Sequence, residues 1–255
     1  LDVHLAYGHC YASLNRPAIA PIGEALPNTE IFRRLAAAMG LTDPCLRDSD
    51  RTLVEQALAS THERMQGVTF ERLLERGWVR LNVPPRYAPY AHGGFPTPSG
   101  KCEFVSERLA ALGMDPLPTY IPPYESAERD PALVARWPLT LISSPAHQFL
   151  NTTFVNVDKL RRSVPGPDCV IHPDDAAPRG ITTGAQVEIR NDRGAFTVTA
   201  RVEDSIRRGV VWAPSIWWLK YAADGQNANA TTSQRETDLG GGATFYDNQV
   251  EVTLR

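Results

Sequence analysis

The sequence predicts a mainly β C-terminal domain, a closed barrel of about six strands over residues 137–255, preceded by a helical, proline-rich region over residues 1–136. Three observations predict it. Short runs rich in Val, Ile and Thr, separated by turn residues, follow Trp137. Upstream, apolar stripes at helical spacing stand behind capping residues. Between the two, residues 82–138 hold most of the chain's prolines, which fix φ, remove a donor and keep segments extended over a surface.

Taken in order, PNTEIFRRLAAAMG at 27–40 predicts a helix with Asn28 or Thr29 as cap. Its stripe is Ile31, Phe32, Leu35, Ala36 and Met39, and Gly40 stops it. Leu53, Val54, Ala57 and Leu58 make a second stripe behind the caps of DSDRT. VTFERLLERG predicts a third helix, capped by Thr69, stapled by Val68 and Leu73 and closed by Gly77. TPSGKCEFVSERLAALG starts as a turn and short strand, then becomes helical. A domain boundary is expected near residue 136.

Beyond it, LTLIS at 139–143 and DCVIH at 168–172 are short and β-rich. QVEIRNDRGAFTVTARVED has two alternating arms around an N-D-R-G turn: Val187 and Ile189 share one face, and Phe196, Val198, Ala200 and Val202 another. GVVWAPSIWW and QVEVTL supply the remaining strands. A short helix is expected in DDAAPRG, entered through His172 and Pro173 and capped by Asp174 or Asp175.

With 42% hydrophobic and 22% charged residues, the 255-residue chain has enough apolar material for a real core. A net charge of -3 argues against a broad footprint for nucleic acid or an anionic membrane. No apolar run approaches membrane-spanning length, so membrane insertion is not expected. Cys10, Cys45, Cys102 and Cys169 are scattered and read as isolated buried thiols, which leans towards a reducing, cytoplasmic compartment. The opening LDVHLAYGHCY reads as the middle of a longer polypeptide.

IHPDDAAPRGITTGAQVEIRNDRGAFTVTARVEDSIRRGVVWAP resembles the C-terminal cofactor-binding domain of the molybdopterin oxidoreductases, the family of dimethyl sulfoxide reductase, formate dehydrogenase and nitrate reductase. The resemblance is carried by His172, Pro173, Asp175, Ala176, Gly180, Ile181, Gly184, Asn191, Gly194 and Gly209 to Val211. TPSGKCEFVSERL at 97–109 is similar to the segment leading into that domain. NANATTSQRETDLGGGATFYDNQVEV is similar to the closing stretch of one branch, with Thr231 where Leu is usual. The resemblance implies a six-stranded double-psi β-barrel preceded by the end of an α/β region. It further implies a molybdenum-bearing molybdopterin guanine dinucleotide shared with upstream domains, which would also hold the metal's protein ligand and any iron–sulfur cluster.

Such a cofactor presents amides, phosphates and guanines, so its site needs neutral donors and acceptors with aromatic walls. By the resemblance, SSPAHQFLNTTF at 143–154 faces it, with Ser144, His147, Gln148, Asn151 and Thr152 as candidates and His147 nearest the reactive end. Trp217 lines the pocket, while Asn227, Asn229 and Thr232 meet a pterin or guanine edge. Gly240 to Gly242 let the tail pass close by before Phe245 and Tyr246. Without the family, the same residues read as an ordinary Ser/Asn loop, core tryptophans and an Asn/Gly surface loop. Arg161, Arg162, Arg179 and Arg193 are candidates for phosphates, or else decorate solvent. No complete catalytic constellation and no metal-ligand spacing stands out.

By the resemblance, the expected function is therefore the cofactor-binding C-terminal portion of a molybdenum bis(molybdopterin guanine dinucleotide) oxidoreductase, inactive alone. Its expected partners are the remainder of its own polypeptide and an electron-transfer subunit. Two other readings are a free-standing module or small subunit docking on a partner, and a barrel that has lost the cofactor and serves as an interaction domain.

Overall fold

Thr69 accepts a hydrogen bond from the Arg72 amide, and Gly77 adopts φ 78°, a left-handed conformation suited to glycine. Helix formation over Phe70–Arg76 follows from those two ends, and Phe70 and Leu73 bury its apolar side. The computed structural model describes residues 1–164 and 166–255, which divide into two units, Leu1–Phe104 and Val105–Arg255.

In the first unit, β1 (Asp2–Ala6) and β2 (His9–Asn15) pair antiparallel, and β3 (Trp78–Arg80) adds to β2. This small sheet is an element that the sequence pattern does not announce. Helices α1 (Asn28–Ala38), α2 (Asp50–Leu58) and α3 (Phe70–Arg76) accompany it. Ala12, Val54, Leu58, Val68, Phe70, Leu73 and Val79 form the core. Ser49 caps α2 by accepting from the Thr52 amide. Pro27, not Asn28 or Thr29, precedes α1, and Thr29 spends its hydroxyl on Asp50 at 2.7 Å instead. Of the α1 stripe only Ala36 is buried; Ile31, Phe32, Leu35 and Met39 are exposed.

In the second unit α4 (Glu107–Ala111) and α5 (Pro131–Arg136) precede a closed barrel. No strand forms in KCEFV at 101–105, where Phe104 and Val105 lie exposed and the turn at Gly100 leads to the Ser106 cap of α4. The barrel strands are β4 (Leu139–Ile142), β5 (Asp168–Ile171), β6 (Gln186–Arg190), β7 (Ala195–Val202), β8 (Val210–Trp212) and β9 (Gln249–Leu254). Their order around the barrel is β4, β8, β5, β7, β6, β9. Two short helices, α6 (Asp158–Arg161) and α7 (Pro173–Ala176), fill connections. The interior is built by alternation, with Leu139, Leu141, Ile171, Val187, Ile189, Val211, Val250 and Val252 almost wholly buried. Each such side chain contributes about 1.5–3 kcal/mol.

At α7 the cap is His172, whose Nδ1 accepts from the Asp174 amide; Asp175 accepts from the Gly209 amide at 2.7 Å instead of capping. Of the cysteines only Cys169 is buried, whereas Cys45 and Cys102 are exposed, contrary to the expectation of four buried thiols. Among the described residues no helix is long and apolar enough to cross a membrane.

Strand direction decides which loops meet. β4 runs parallel to β8 and β5 parallel to β7, while every other pair is antiparallel. The ends of β4, β6 and β8 and the starts of β5, β7 and β9 therefore share one rim of the barrel. Onto that rim open the loop after β4, the 191–194 turn, the segment after β8 and the approach to β9.

Candidate functional site at the barrel rim

The loop after β4 and the segment after β8 are tied together residue by residue. Trp212 Nε1 donates to Ser144 Oγ at 2.8 Å, and the Ser215 amide donates to the Ser144 carbonyl at 2.8 Å. Ser215 Oγ donates to the Asn151 carbonyl at 2.7 Å, and Trp218 Nε1 to the Thr152 carbonyl at 2.8 Å. Phe149 meets Trp217 edge to face, with ring centroids 5.4 Å apart, and both are buried. Three of the four non-glycine residues with positive φ among those described lie here: Asn151 at 52°, Phe154 at 76° and Ser215 at 68°. A bulky residue such as Phe154 in that region is strained, and such strain persists where surrounding bonds over-determine the backbone.

Trp217 is the informative member of this cluster. Its side chain is 7% exposed, yet Nε1 has no hydrogen-bond partner among the described residues. A buried indole N–H normally finds an acceptor, because leaving one unpaired costs about 1–3 kcal/mol. Trp217 lines a narrow cleft with Asp168, Thr197, Ser215, Gln226 and Asn227.

Asn227 is engaged inside the protein through both ends of its amide. Its Nδ2 donates to the Trp217 carbonyl at 2.8 Å, and its Oδ1 accepts from the Asn229 amide, capping a short 3-10 turn at Ala228–Thr231. Thr232 Oγ1 donates to the Ala228 carbonyl. Ser144, Asn227 and Thr232 thus shape the rim with their side chains, while the side chains of His147, Gln148, Asn151, Thr152 and Asn229 form no hydrogen bond among the described residues. His147, Asn151, Thr152 and Asn229 are exposed and Gln148 is half-buried. Phe245 and Tyr246 stand apart from the cleft of Trp217. They meet edge to face at 4.5 Å and line a cavity of about 310 Å³ with Pro122, Tyr124, Arg129 and Asp238.

Each of the four arginines considered for phosphates has a carboxylate partner, although Arg161 Nε is buried without a hydrogen-bond partner among the described residues. Arg179 forms a two-pronged pair with Glu251, Arg193 does the same with Glu125, and Arg161 and Arg162 both reach Asp158. Sequence reasoning missed Ser215, Glu125 and Asn248, the last a buried amide that accepts from Asn191 Nδ2 and donates to Thr231 Oγ1. A serine carries no signal for left-handed backbone, and Glu125 in a proline-rich run looks like a solvated charge.

Residues 139–249 match the family described as the molydopterin dinucleotide binding domain. The chain is 37% identical over 252 residues to the probable oxidoreductase YoaE of Bacillus subtilis, covering 98% of this chain and 35% of that protein. To the dimethyl sulfoxide reductase DmsA of Escherichia coli it is 35% identical over 267 residues, 95% of this chain and 32% of the relative. The solved structure of acetylene hydratase from Pelobacter acetylenicus superposes with a TM-score of 0.71 at 20% identity, over 99% of this chain and 36% of that one, a likeness of fold. The chain spans about a third of the length of the curated relatives it matches.

Proposed function

We propose that this chain forms one wall of a molybdopterin guanine dinucleotide site in a molybdenum oxidoreductase, while other parts of a longer polypeptide supply the metal's protein ligand and the redox centre. The metal, when bound, supplies oxygen-atom or hydride transfer. The chain's own residues hold and orient the organic part. The observation that carries this reading is the match of residues 139–249 to the dinucleotide-binding family; the unpartnered Nε1 of buried Trp217, beside a cleft of only about 10 Å³, is a candidate donor once a ligand opens that cleft.

The donor set fits. His147, Gln148, Asn151, Thr152 and Asn229 offer neutral amide, imidazole and hydroxyl groups, suited to the amide edges of pterin and guanine. Ser144, Asn227 and Thr232 hold the segments that present them. Phe245 and Tyr246 form a separate aromatic wall beside Tyr124, whose ring lies under the guanidinium groups of Arg129 and Arg235 at 4.1 and 5.1 Å. The two parallel strand pairs of the barrel are consistent with a double-psi arrangement. The exposed Ile31, Phe32, Leu35 and Met39 of α1 fit a surface covered by the remainder of the polypeptide. With part of its contacts missing, the isolated chain binds weakly and turns over no substrate.

The test is the protein as its gene encodes it, assayed for molybdenum by mass spectrometry and for pterin by fluorescence after oxidative release. Both are expected, and Trp217→Phe, which keeps the ring and removes the N–H, lowers bound pterin with the fold retained. Wild-type protein carrying neither metal nor pterin would overturn the reading.

A further inference from the structure

Glu125 stands in the proline-rich segment before the barrel and is 8% exposed, an unusual place for a carboxylate. Every bond it makes leads to the rim. Its Oε1 accepts from Arg193 Nη1 at 2.6 Å, and its Oε2 accepts from Arg193 Nη2 at 3.1 Å and from the Gln249 amide at 2.8 Å. The Glu125 carbonyl accepts from Gln249 Nε2. Arg193 is the hub: its Nε donates to the Thr231 carbonyl at 2.6 Å and its Nη2 also to Asn248 Oδ1 at 3.2 Å.

The Thr231 carbonyl is where these bonds converge, because Asn191 Nδ2 donates to it as well, at 2.9 Å. Thr231 closes the 3-10 turn that carries Asn229, a segment with no strand ladder of its own. The 191–194 turn sits hard against that segment: a Cβ on Gly194 would lie 2.7 Å from the Ala230 carbonyl oxygen. The forked guanidinium can satisfy Glu125 and Thr231 together, whereas a lysine ammonium in its place reaches one or the other.

We propose that Glu125 and Arg193 are a positioning pair, through which the proline-rich strap around residues 121–126 fixes the Asn227–Thr232 segment in the conformation that receives the dinucleotide. What the segment receives rests on the function proposed above; that the pair holds it rests on the bonds alone.

Arg193→Lys and Glu125→Gln test this in the protein as its gene encodes it, with two readouts. The first is amide hydrogen exchange in residues 229–232 compared with β7. The second is the rate at which bound pterin is lost on repeated gel filtration. Exchange in 229–232 is expected to rise about ten-fold or more with β7 unchanged, and pterin loss to accelerate. A uniform rise across both segments, or none, would mean that the pair is only a structural ion pair. Selective exchange with unchanged pterin retention would also overturn the positioning role. Wild-type protein without pterin would instead defeat the proposed function, and exchange would still decide whether the pair holds the segment. Should Arg193→Lys fail to fold, Glu125→Gln alone, which weakens the two-pronged bond to Arg193 and leaves Arg193 in place, gives the same comparison.

Discussion

Trp212 Nε1 and Ser144 Oγ lie 2.8 Å apart, joining the end of β8 to the loop that leaves β4. Because those strands are parallel neighbours, this bond is one of several that set how two rim segments leave the barrel together. Ser144→Ala is expected to cost about 1 kcal/mol, the net worth of such a bond. Trp212→Phe adds its own loss of packing, but the double variant costs less than the sum. Chemical denaturation of the three variants checks it.

Gly194 needs its missing side chain for room rather than for backbone freedom. Its added Cβ would meet backbone, the Ala230 carbonyl oxygen at 2.7 Å, which cannot swing away as a flexible side chain would. Gly194→Ala is therefore expected to destabilise by about 1–3 kcal/mol, as overpacking does. Faster hydrogen exchange at residues 229–232 would accompany the lower denaturation midpoint.

Asn229 and His147 carry the opposite expectation. Their exposed side chains support no internal hydrogen bond among the described residues, so Asn229→Ala and His147→Ala leave stability within about 0.5 kcal/mol. Bound pterin in the purified protein should fall in each. Unchanged pterin in both would remove these residues from the binding set.

The cysteines differ by burial. Cys45 and Cys102 are exposed and should react promptly with a thiol reagent, whereas Cys169 reacts only on unfolding. Burial, with a smaller contribution from the charge of Asp168, pushes the Cys169 thiol up to about 12 from 9.0. The folded thiol therefore holds its proton where the unfolded chain releases it. That contribution to stability is whole below about pH 9 and is lost progressively as pH rises towards about 12. Denaturation between those limits should show a slope that Cys169→Ala flattens.

Much of the barrel could be read from the sequence, because Leu139, Val187, Ile189, Val198 and Val252 alternate with polar neighbours, and a two-residue period is what a strand with one buried face requires. The helix ends at Thr69 and Gly77 were equally plain, since a hydroxyl and a glycine act locally. The hairpin of β1 and β2 was not, as neither DVHLA nor HCYASLN buries a clean alternating face. Nor did local pattern reveal that Asn28 and Thr29 would lose the cap position: Thr29 was drawn to Asp50, a partner 21 residues away. At the rim, composition pointed to the loops after β4 and β8, but which side chains shape the rim and which remain available depends on long-range bonds. Ser144 to Trp212 spans 68 residues and Arg193 to Glu125 also spans 68.

The two parallel pairs inside the closed barrel also govern when the site can exist. β4 has no neighbour until β8 has been made, about 70 residues later, and β9 must then reach both β4 and β6. Such far-separated pairings make folding slow, because loop closure must be achieved before strand pairing rewards it. A ribosome-bound chain that has not yet produced Gln249–Leu254 presents an open sheet with a dangling edge, and no complete rim. Any group that needs the complete rim can find it only after synthesis has passed that strand.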